Sequence, residues 1–264
     1  MKAFYCIPNL NQISSYLEFS EKYNVGFEYN DFFLPSVLDD EERISQIIAS
    51  YSSLNRDCSE DFLHGVFFDI CVHSCDPLIY KASDYRIHQS MNIAARLGVK
   101  KVIFHTNQIP NFKLQTYLEG WLESNERYWR ELLQEYPDME VYMENMFDLD
   151  SSLICQLAER MKDQPRFGLC LDMAHAFISD ESVDGWCKST FPYVRHVHIN
   201  DNNGIEDSHS VVGSASMPWS VYNRFMDAFD QETKPSVLIE VRGYEDLEKS
   251  VDYMTQKHLY PFFK

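Results

Sequence analysis

Short apolar runs alternate along the chain with longer segments in which apolar residues recur at helical spacing. This alternation is typical of βα units arranged around a parallel sheet, and we count eight such runs. The runs are Lys2–Cys6, Val25–Tyr29, Phe62–His64, Val99–His105, Val141–Asn145, Phe167–Asp172, Val194–Asn200 and Ser236–Val241. The intervening pattern predicts helices over Asn11–Tyr23, Asp39–Leu54, Asp84–Leu97, Gln115–Tyr136, Ser151–Met161 and Glu245–His258.

The length of the chain agrees with this pattern. A (β/α)₈ barrel typically needs about 250 residues, and this chain has 264. No linker or low-complexity stretch divides it. We therefore predict an α/β protein with a single domain over residues 1–264, folded as a (β/α)₈ TIM barrel.

Polar side chains fall at or near the last position of six consecutive runs. They are His64, His105, Glu144, Asp172, His198 and Glu240. Side chains alternate along a strand, so the residue two positions earlier points the same way. Those residues are Phe62, Ile103, Tyr142, Cys170, His196 and Leu238. The sequence predicts a mostly apolar layer beneath a ring of His, Asp and Glu at the end of the barrel where active sites lie.

A ring of this composition indicates a metal. One histidine at a strand end is more often a core residue than a ligand, so the prediction depends on the six residues together. Three carboxylates and three imidazoles that converge unpaired would be costly to bury, and a bound cation is the usual compensation. Mixed nitrogen and oxygen donors suit Zn²⁺, Mn²⁺ or Co²⁺ better than Mg²⁺ or Ca²⁺.

Two loops add candidate residues. His175 lies one turn after Asp172, where it could bind a second ion or a substrate hydroxyl. Asp207 and His209 form an Asp-x-His pair after the seventh run and could contact metal or substrate. Glu28, at the end of the second run, could line the barrel or pair with a Lys or Arg.

Charge and cysteine usage restrict the partners. The net charge of −18 disfavours nucleic acid, because DNA binding depends on Lys and Arg that neutralise phosphates. It does not exclude a small anionic substrate. No apolar run approaches the roughly 20 residues that span a bilayer. Seven cysteines without a CxxC pair, and a start without a secretory signal, indicate a cytoplasmic protein with no disulfide framework. The sequence does not decide whether the protein forms a homo-oligomer.

The chain resembles the xylose-isomerase-like TIM-barrel superfamily, which contains sugar isomerases and epimerases and the zinc-dependent apurinic-site endonucleases. The resemblance covers nearly the whole chain. It rests on His64-Gly65-Val66-Phe67, Glu144-Asn145-Met146, Leu171-Asp172-Met173-Ala174-His175, His198-Ile199-Asn200-Asp201-Asn202, Asp207-Ser208-His209 and Gly213. One departure is Ala215, in Gly213-Ser214-Ala215, where relatives often have a second glycine, and we expect it to tighten the substrate loop.

The two branches of the superfamily imply different metal centres. In the isomerase and epimerase branch, the metal binds the equivalents of Glu144, Asp172, His198 and Glu240, and the two glutamates pass the proton of the substrate. In the endonuclease branch, a zinc cluster also uses further residues, all present in this chain. Those residues are His64, His105, His175, Asp207 and His209.

The leading hypothesis is a metal-dependent isomerase or epimerase of a small sugar, sugar phosphate or polyol. Glu144 and Glu240 would be its base and acid around a metal-stabilised enediolate. The candidate substrate-binding residues are His64, His105, His175, Asn200, Asp207, His209 and Arg242. A multinuclear zinc phosphoesterase is the main alternative, and a metal-containing sugar-binding protein without turnover is the second.

Overall fold

Eight parallel strands form a closed barrel in this computed structural model, which describes residues 2–262. Each strand pairs with the next, and the first closes the barrel against the last, with Phe4 opposite Val237. The strands are β1 (Phe4–Cys6), β2 (Gly26–Tyr29), β3 (Phe62–His64), β4 (Lys101–His105), β5 (Glu140–Glu144), β6 (Phe167–Asp172), β7 (Val194–Ile199) and β8 (Ser236–Ile239). The predicted (β/α)₈ fold is confirmed; residues 1, 263 and 264 of the predicted domain lie outside the described residues.

Helices alternate with the strands and surround the barrel. They are α1 (Ile13–Tyr23), α2 (Pro35–Leu38), α3 (Glu41–Ser52), α4 (Pro77–Leu97), α5 (Gln115–Glu135), α6 (Ser152–Arg160), α7 (Met173–Ile178), α8 (Val183–Thr190), α9 (Trp219–Asp227) and α10 (Tyr244–Gln256), with a 3₁₀ turn at Leu10–Gln12. The six predicted helices are present. The helix predicted from Asp84 begins earlier, because Asp76 accepts a hydrogen bond from the backbone N–H of Leu78 and caps the helix.

Apolar side chains pack in two layers. The larger layer lies between the strands and the helices, and the smaller one fills the inside of the barrel. The inner layer consists of Tyr5, Phe62, Ile103, Tyr142, Cys170 and Leu238. Five of these were predicted from side-chain alternation. His196, the sixth predicted member, is also fully buried, but it pairs with Glu28. The layer closes the barrel beneath the strand ends.

Among the described residues, no helix combines the length and the apolar character needed to cross a bilayer.

Candidate metal centre

Four of the predicted ligands converge at the C-terminal mouth of the barrel. Glu144, Asp172 and His198 lie at the ends of β5, β6 and β7, and Glu240 directly follows β8. All four side chains are buried. One potential ligand atom from each lies within 4.8 Å of those from the other three. This group is the metal set that the resemblance to isomerases and epimerases implies.

Nδ1 of His198 lies between the two glutamates. It is 3.3 Å from Oε1 of Glu144 and 3.4 Å from Oε2 of Glu240. Burial disfavours ionisation of Glu144, but His198 and His105 outweigh burial and hold the pKa of this carboxyl well below its usual value. The Glu240 carboxyl likewise has a lowered pKa, because His198 outweighs burial. Both glutamates are therefore carboxylates near neutral pH.

Asp172 belongs both to the metal set and to the local backbone. Its Oδ1 accepts a hydrogen bond of 2.6 Å from the N–H of His175 and thereby caps α7. Asn145 fixes the adjoining backbone, since its side-chain amide donates to the Asp172 carbonyl and accepts from the Asp172 N–H. Burial, together with the nearby charges of Glu144 and Glu240, raises the pKa of Asp172 to about 7.

Two histidines share the other oxygen of Glu144. Nε2 of His64 and Nε2 of His105 lie 3.2 Å apart, and they are 3.5 Å and 3.2 Å from Oε2 of Glu144. These three side chains form another group whose ligand atoms lie within 4.8 Å of one another. The geometry therefore permits a second ion with Glu144 as a shared ligand.

Asp207 joins two more histidines above the centre. Its Oδ2 lies 3.3 Å from Nε2 of His175 and 2.8 Å from Nε2 of His209. His209 adopts a left-handed backbone conformation with φ of 48°, which is uncommon for a residue other than glycine. Burial lowers the pKa of His209, but Asp207 and Glu240 outweigh it and raise this pKa to about 9.

Asp201 holds the β7–α9 loop that carries Asp207 and His209. Its carboxylate accepts hydrogen bonds from the backbone N–H groups of residues 202, 213, 215 and 217 and from the Trp219 indole. Ala215 is exposed. The N–H group of Ala215 takes part in this network, and the expectation that this residue tightens the substrate loop stays a prediction.

The remaining predicted substrate residues differ in burial. Asn200 is fully buried, and neither its side-chain oxygen nor its nitrogen has a hydrogen-bond partner among the described residues. Arg242 is exposed in the short loop between β8 and α10. Asn200 thus offers unsatisfied polar atoms near the centre, and Arg242 offers a charge at its edge.

Glu28 is a site residue that the sequence left undecided. It is fully buried, and its two oxygens lie 3.2 Å from Nε2 of His196 and 3.3 Å from Nε2 of His198. His196 in turn lies 2.6 Å from Oγ of Ser236. The available signal was an acidic residue at a strand end. Its partners lie far away in sequence, so pairing with histidine instead of Lys or Arg was not evident.

The donor set fits a divalent cation. Oδ2 of Asp172 is buried and has no hydrogen-bond partner among the described residues, and Oε2 of Glu144 and Oε2 of Glu240 make only ion-pair contacts with histidine there. Buried anionic groups that lack such partners are costly unless a cation compensates them. Glu144, Asp172, His198 and Glu240 would hold that ion, and their oxygen and nitrogen donors suit a transition metal.

Comparison with known proteins places this chain in a family. Residues 23–257 match the xylose isomerase-like TIM barrel family, and the chain belongs to it. Two curated proteins match this chain at low sequence identity. A protein described as "Probable endonuclease 4", from Halorhodospira halophila, is 21% identical over 203 residues, which cover 68% of this chain and 67% of that protein. Fructoselysine 3-epimerase from Shigella flexneri is 24% identical over 127 residues, which cover 46% of this chain and 42% of the epimerase.

Solved structures share the whole fold at low sequence identity. A D-tagatose 3-epimerase-like protein superimposes with a TM-score of 0.74 and 18% identity, covering 97% of this chain and 96% of that one. The TTHB071 protein from Thermus thermophilus, soaked with ZnCl₂, gives 0.69 and 19% over 97% of both chains. The IOLI protein with a bound zinc atom gives 0.67 and 14% over 96% of both. These similarities confirm the barrel fold.

Proposed function

We propose that this protein is a metal-dependent isomerase or epimerase of a small sugar or related polyol. The observation that carries the proposal is the buried group of Glu144, Asp172, His198 and Glu240, with two glutamates on either side of one imidazole nitrogen. This arrangement provides a metal set and two carboxylates that can exchange a proton with the same substrate carbon.

These four residues would hold a divalent ion, which would supply Lewis-acid activation of a substrate oxygen and so acidify the neighbouring C–H bond. Glu144 and Glu240 would remove a proton from that carbon and return one to it. Their lowered pKa values keep both carboxylates ready to accept a proton near neutral pH, so the glutamate that returns a proton on the other face would first take one from solvent. In an epimerase, one glutamate would act on each face of the substrate. In an isomerase, the proton would return to the neighbouring carbon.

Other side chains would orient the substrate. The buried side-chain amide of Asn200 has an NH₂ donor and a carbonyl acceptor, and neither has a hydrogen-bond partner among the described residues. It can therefore donate a hydrogen bond to a substrate hydroxyl group and also accept one from it. His175 is held by the carbonyl of Asn145, 2.9 Å from its Nδ1, and its Nε2 faces the β7–α9 loop. These contacts would fix the reacting carbon between the two glutamates.

The names of several relatives support this chemistry. D-Tagatose 3-epimerase-like, D-psicose 3-epimerase and L-ribulose 3-epimerase structures share the fold, and a fructoselysine 3-epimerase matches in sequence. Each of these names refers to inversion at a sugar carbon. Two glutamates at one centre are the groups that such an inversion requires.

Exchange of substrate hydrogen with solvent tests the proposal. The chain loaded with Mn²⁺, Co²⁺ or Zn²⁺ is incubated in D₂O with D-tagatose, D-fructose and L-ribulose, and proton NMR follows the C–H signals beside the carbonyl. We expect deuterium to replace one C–H hydrogen of the sugar when the metal-loaded chain is present, and we expect no replacement with the metal-free chain. Tight sugar binding without exchange would indicate a binding protein, and it would contradict the proposal.

A zinc phosphoesterase is a second candidate, favoured by one specific observation. His64, His105 and Glu144 form a further potential ion site, and Asp207 lies between His175 and His209. Two or three ions at those positions would suit hydrolysis of a phosphate ester. Metal content distinguishes the candidates: a loss of one whole ion per chain in both Asp207→Ala and His209→Ala would favour the phosphoesterase and contradict a single-ion mechanism.

A further inference from the structure

Eight segments that follow the strands surround the candidate metal centre, and their charge bears on the substrate. They are called loops here, although two of them contain the short helices α2 and α7. They span residues 7–12, 30–40, 65–76, 106–114, 145–151, 173–182, 200–218 and 240–243, all within the described part of the chain. Lys113 and Arg242 are their only Lys or Arg residues, whereas six of the loops carry Asp or Glu. A substrate with a phosphate group would therefore meet two Lys or Arg side chains and many carboxylates, since the histidines of these loops nearest the centre, His175 and His209, already pair with Asp207.

Backbone N–H groups can replace cations in binding phosphate, and TIM barrels frequently use the loops after strands 7 and 8 for this purpose. In the loop after β7 of this protein, three of those donors are already occupied. The N–H groups of Gly213, Ala215 and Met217 donate to the buried carboxylate of Asp201 at 2.9, 3.1 and 2.9 Å. A ligand phosphate would have to compete with a carboxylate that belongs to the protein itself.

The helix after the eighth strand is also unsuited to an anion. The first turn of α10 contains Glu245 and Asp246. Carboxylates in a first turn interact favourably with the positive end of the helix dipole, and they repel an incoming anion. The usual phosphate position near strands 7 and 8 is thus negatively charged on both sides.

Aromatic side chains extend outward from the candidate centre on one side. The ring of Phe67 stacks on His105, with 5.0 Å between the centroids and an interplanar angle of 28°. Phe33 stacks on the same phenylalanine at 5.0 Å. Phe68 lies 4.2 Å from Phe67 and is 54% exposed. A continuous apolar wall therefore leads from a buried candidate ligand to solvent.

The loop after β5 has a similar character. Phe147, which is 50% exposed, lies 5.4 Å from the ring of His175. Most of the large apolar side chains that the described part of the chain exposes lie on the loops around the mouth. This apolar rim consists of Leu34, Phe68, Ile109, Phe112, Leu114, Phe147 and Ile205.

We propose that the substrate is an unphosphorylated, neutral sugar that carries an apolar substituent. The hydroxyl groups would reach the metal centre, and the substituent would pack against the apolar rim, where burial of apolar surface favours binding. The inference rests on the proposed sugar chemistry and defines its substrate class. It combines the lack of anion-binding groups with the continuity between the aromatic rings and the candidate ligands.

Matched derivatives of one ketose test this inference. Isothermal titration calorimetry with the Mn²⁺-loaded chain compares D-fructose, its 1-O-benzyl and 6-O-benzyl ethers, and its 1-phosphate and 6-phosphate. Because the derivatives are modified at position 1 or at position 6, either end of the sugar can face the apolar rim. We expect the better benzyl ether to bind about tenfold more tightly than D-fructose, because its ring buries additional apolar area. We expect both phosphates to bind more weakly than D-fructose.

Single variants locate the apolar contact. Phe68→Ala or Phe147→Ala should remove most of the benzyl gain while leaving the metal content unchanged, since neither side chain is a candidate ligand. The matched control is Phe191→Ala, which removes another exposed ring from the loop between α8 and β7, at the opposite end of the barrel. We expect this control to retain the full gain.

Two results would overturn the inference while leaving the sugar chemistry intact. The first is a phosphate that binds as tightly as the benzyl ether at the same position. The second is a pair of benzyl ethers that bind no more tightly than D-fructose. If none of the five ligands binds the metal-loaded chain, the sugar chemistry itself fails, and this inference fails with it.

Discussion

Oε1 of Glu28 lies 3.3 Å from Nε2 of His198, on the side of the imidazole that faces away from the candidate ligands Glu144 and Glu240. Both side chains are fully buried. A carboxylate in this position favours a proton on Nε2 and leaves Nδ1 available for an ion. Metal-binding histidines commonly have such a partner, which fixes the ring and increases its basicity.

Replacing this partner should weaken metal binding. Glu28→Gln keeps the size of the side chain but removes the charge that faces Nε2, so we expect a loss of about 10–100-fold in metal affinity. Competition with a chromogenic chelator measures the affinity. Glu140→Gln, the same substitution at the other end of the barrel on β5, is the control and should bind metal normally. Unchanged affinity in Glu28→Gln would show that Glu28 does not support the metal site.

Glu240→Gln tests the proton-transfer role. The amide keeps the shape of the side chain and one weak donor oxygen, but it cannot accept the substrate proton. Turnover should fall by about 10²–10⁴ with the fold preserved, which activity assays and circular dichroism would show together. His209→Ala should cost far less, because a single-ion mechanism uses this residue only through its loop. Equal losses in the two variants would point to hydrolysis instead.

The stability of the β7–α9 loop should depend on Asp201. Asp201→Asn leaves one acceptor oxygen and sets an NH₂ group against backbone donors, so several of its five hydrogen bonds would be lost in a buried position. We expect the free energy of unfolding to fall by about 2–4 kcal/mol in urea titration. Asp227→Asn, at the exposed end of α9, should change it by less than about 0.5 kcal/mol. Similar values for the two variants would contradict this role of Asp201.

Binding to an abasic DNA duplex should be weak at physiological salt. The chain has a net charge of −18, and the loops around the mouth contain two Lys or Arg side chains, Lys113 and Arg242. Few phosphates would be neutralised, and that neutralisation supplies most of non-specific DNA affinity. Fluorescence anisotropy of a labelled duplex provides the measurement. Tight binding with metal-dependent incision would instead support the phosphoesterase.

The strands and the ring of polar strand ends could be predicted because both are local features of the sequence. Each strand is a short apolar run, and the alternation of side chains identified the inner layer that contains Ile103 and Leu238. The helices α7, α8 and α9 were not predicted individually. The helices α7 and α8 contain only 6 and 8 residues, which gives few turns over which a helical period can be recognised.

Contacts across the barrel could not be predicted from the sequence. Glu28 and His196 are 168 residues apart, and only closure of the barrel brings their side chains to 3.2 Å. The role of Asp201 was equally hidden, because its partners are backbone N–H groups, which every residue except proline possesses. The ligand types could be recognised from sequence, whereas the groups that orient them depend on the three-dimensional arrangement.

The metal content of the purified chain tests the central claim most directly. After purification without chelator, elemental analysis should find at least one transition-metal ion per chain, and chelation should lower the melting temperature, because an ion that binds only the folded state stabilises it. Asp172→Ala removes a buried carboxylate from the metal set and should lower the metal content. A chain that contains no stoichiometric metal, and whose melting temperature does not rise when Zn²⁺, Mn²⁺ or Co²⁺ is added, would contradict the account.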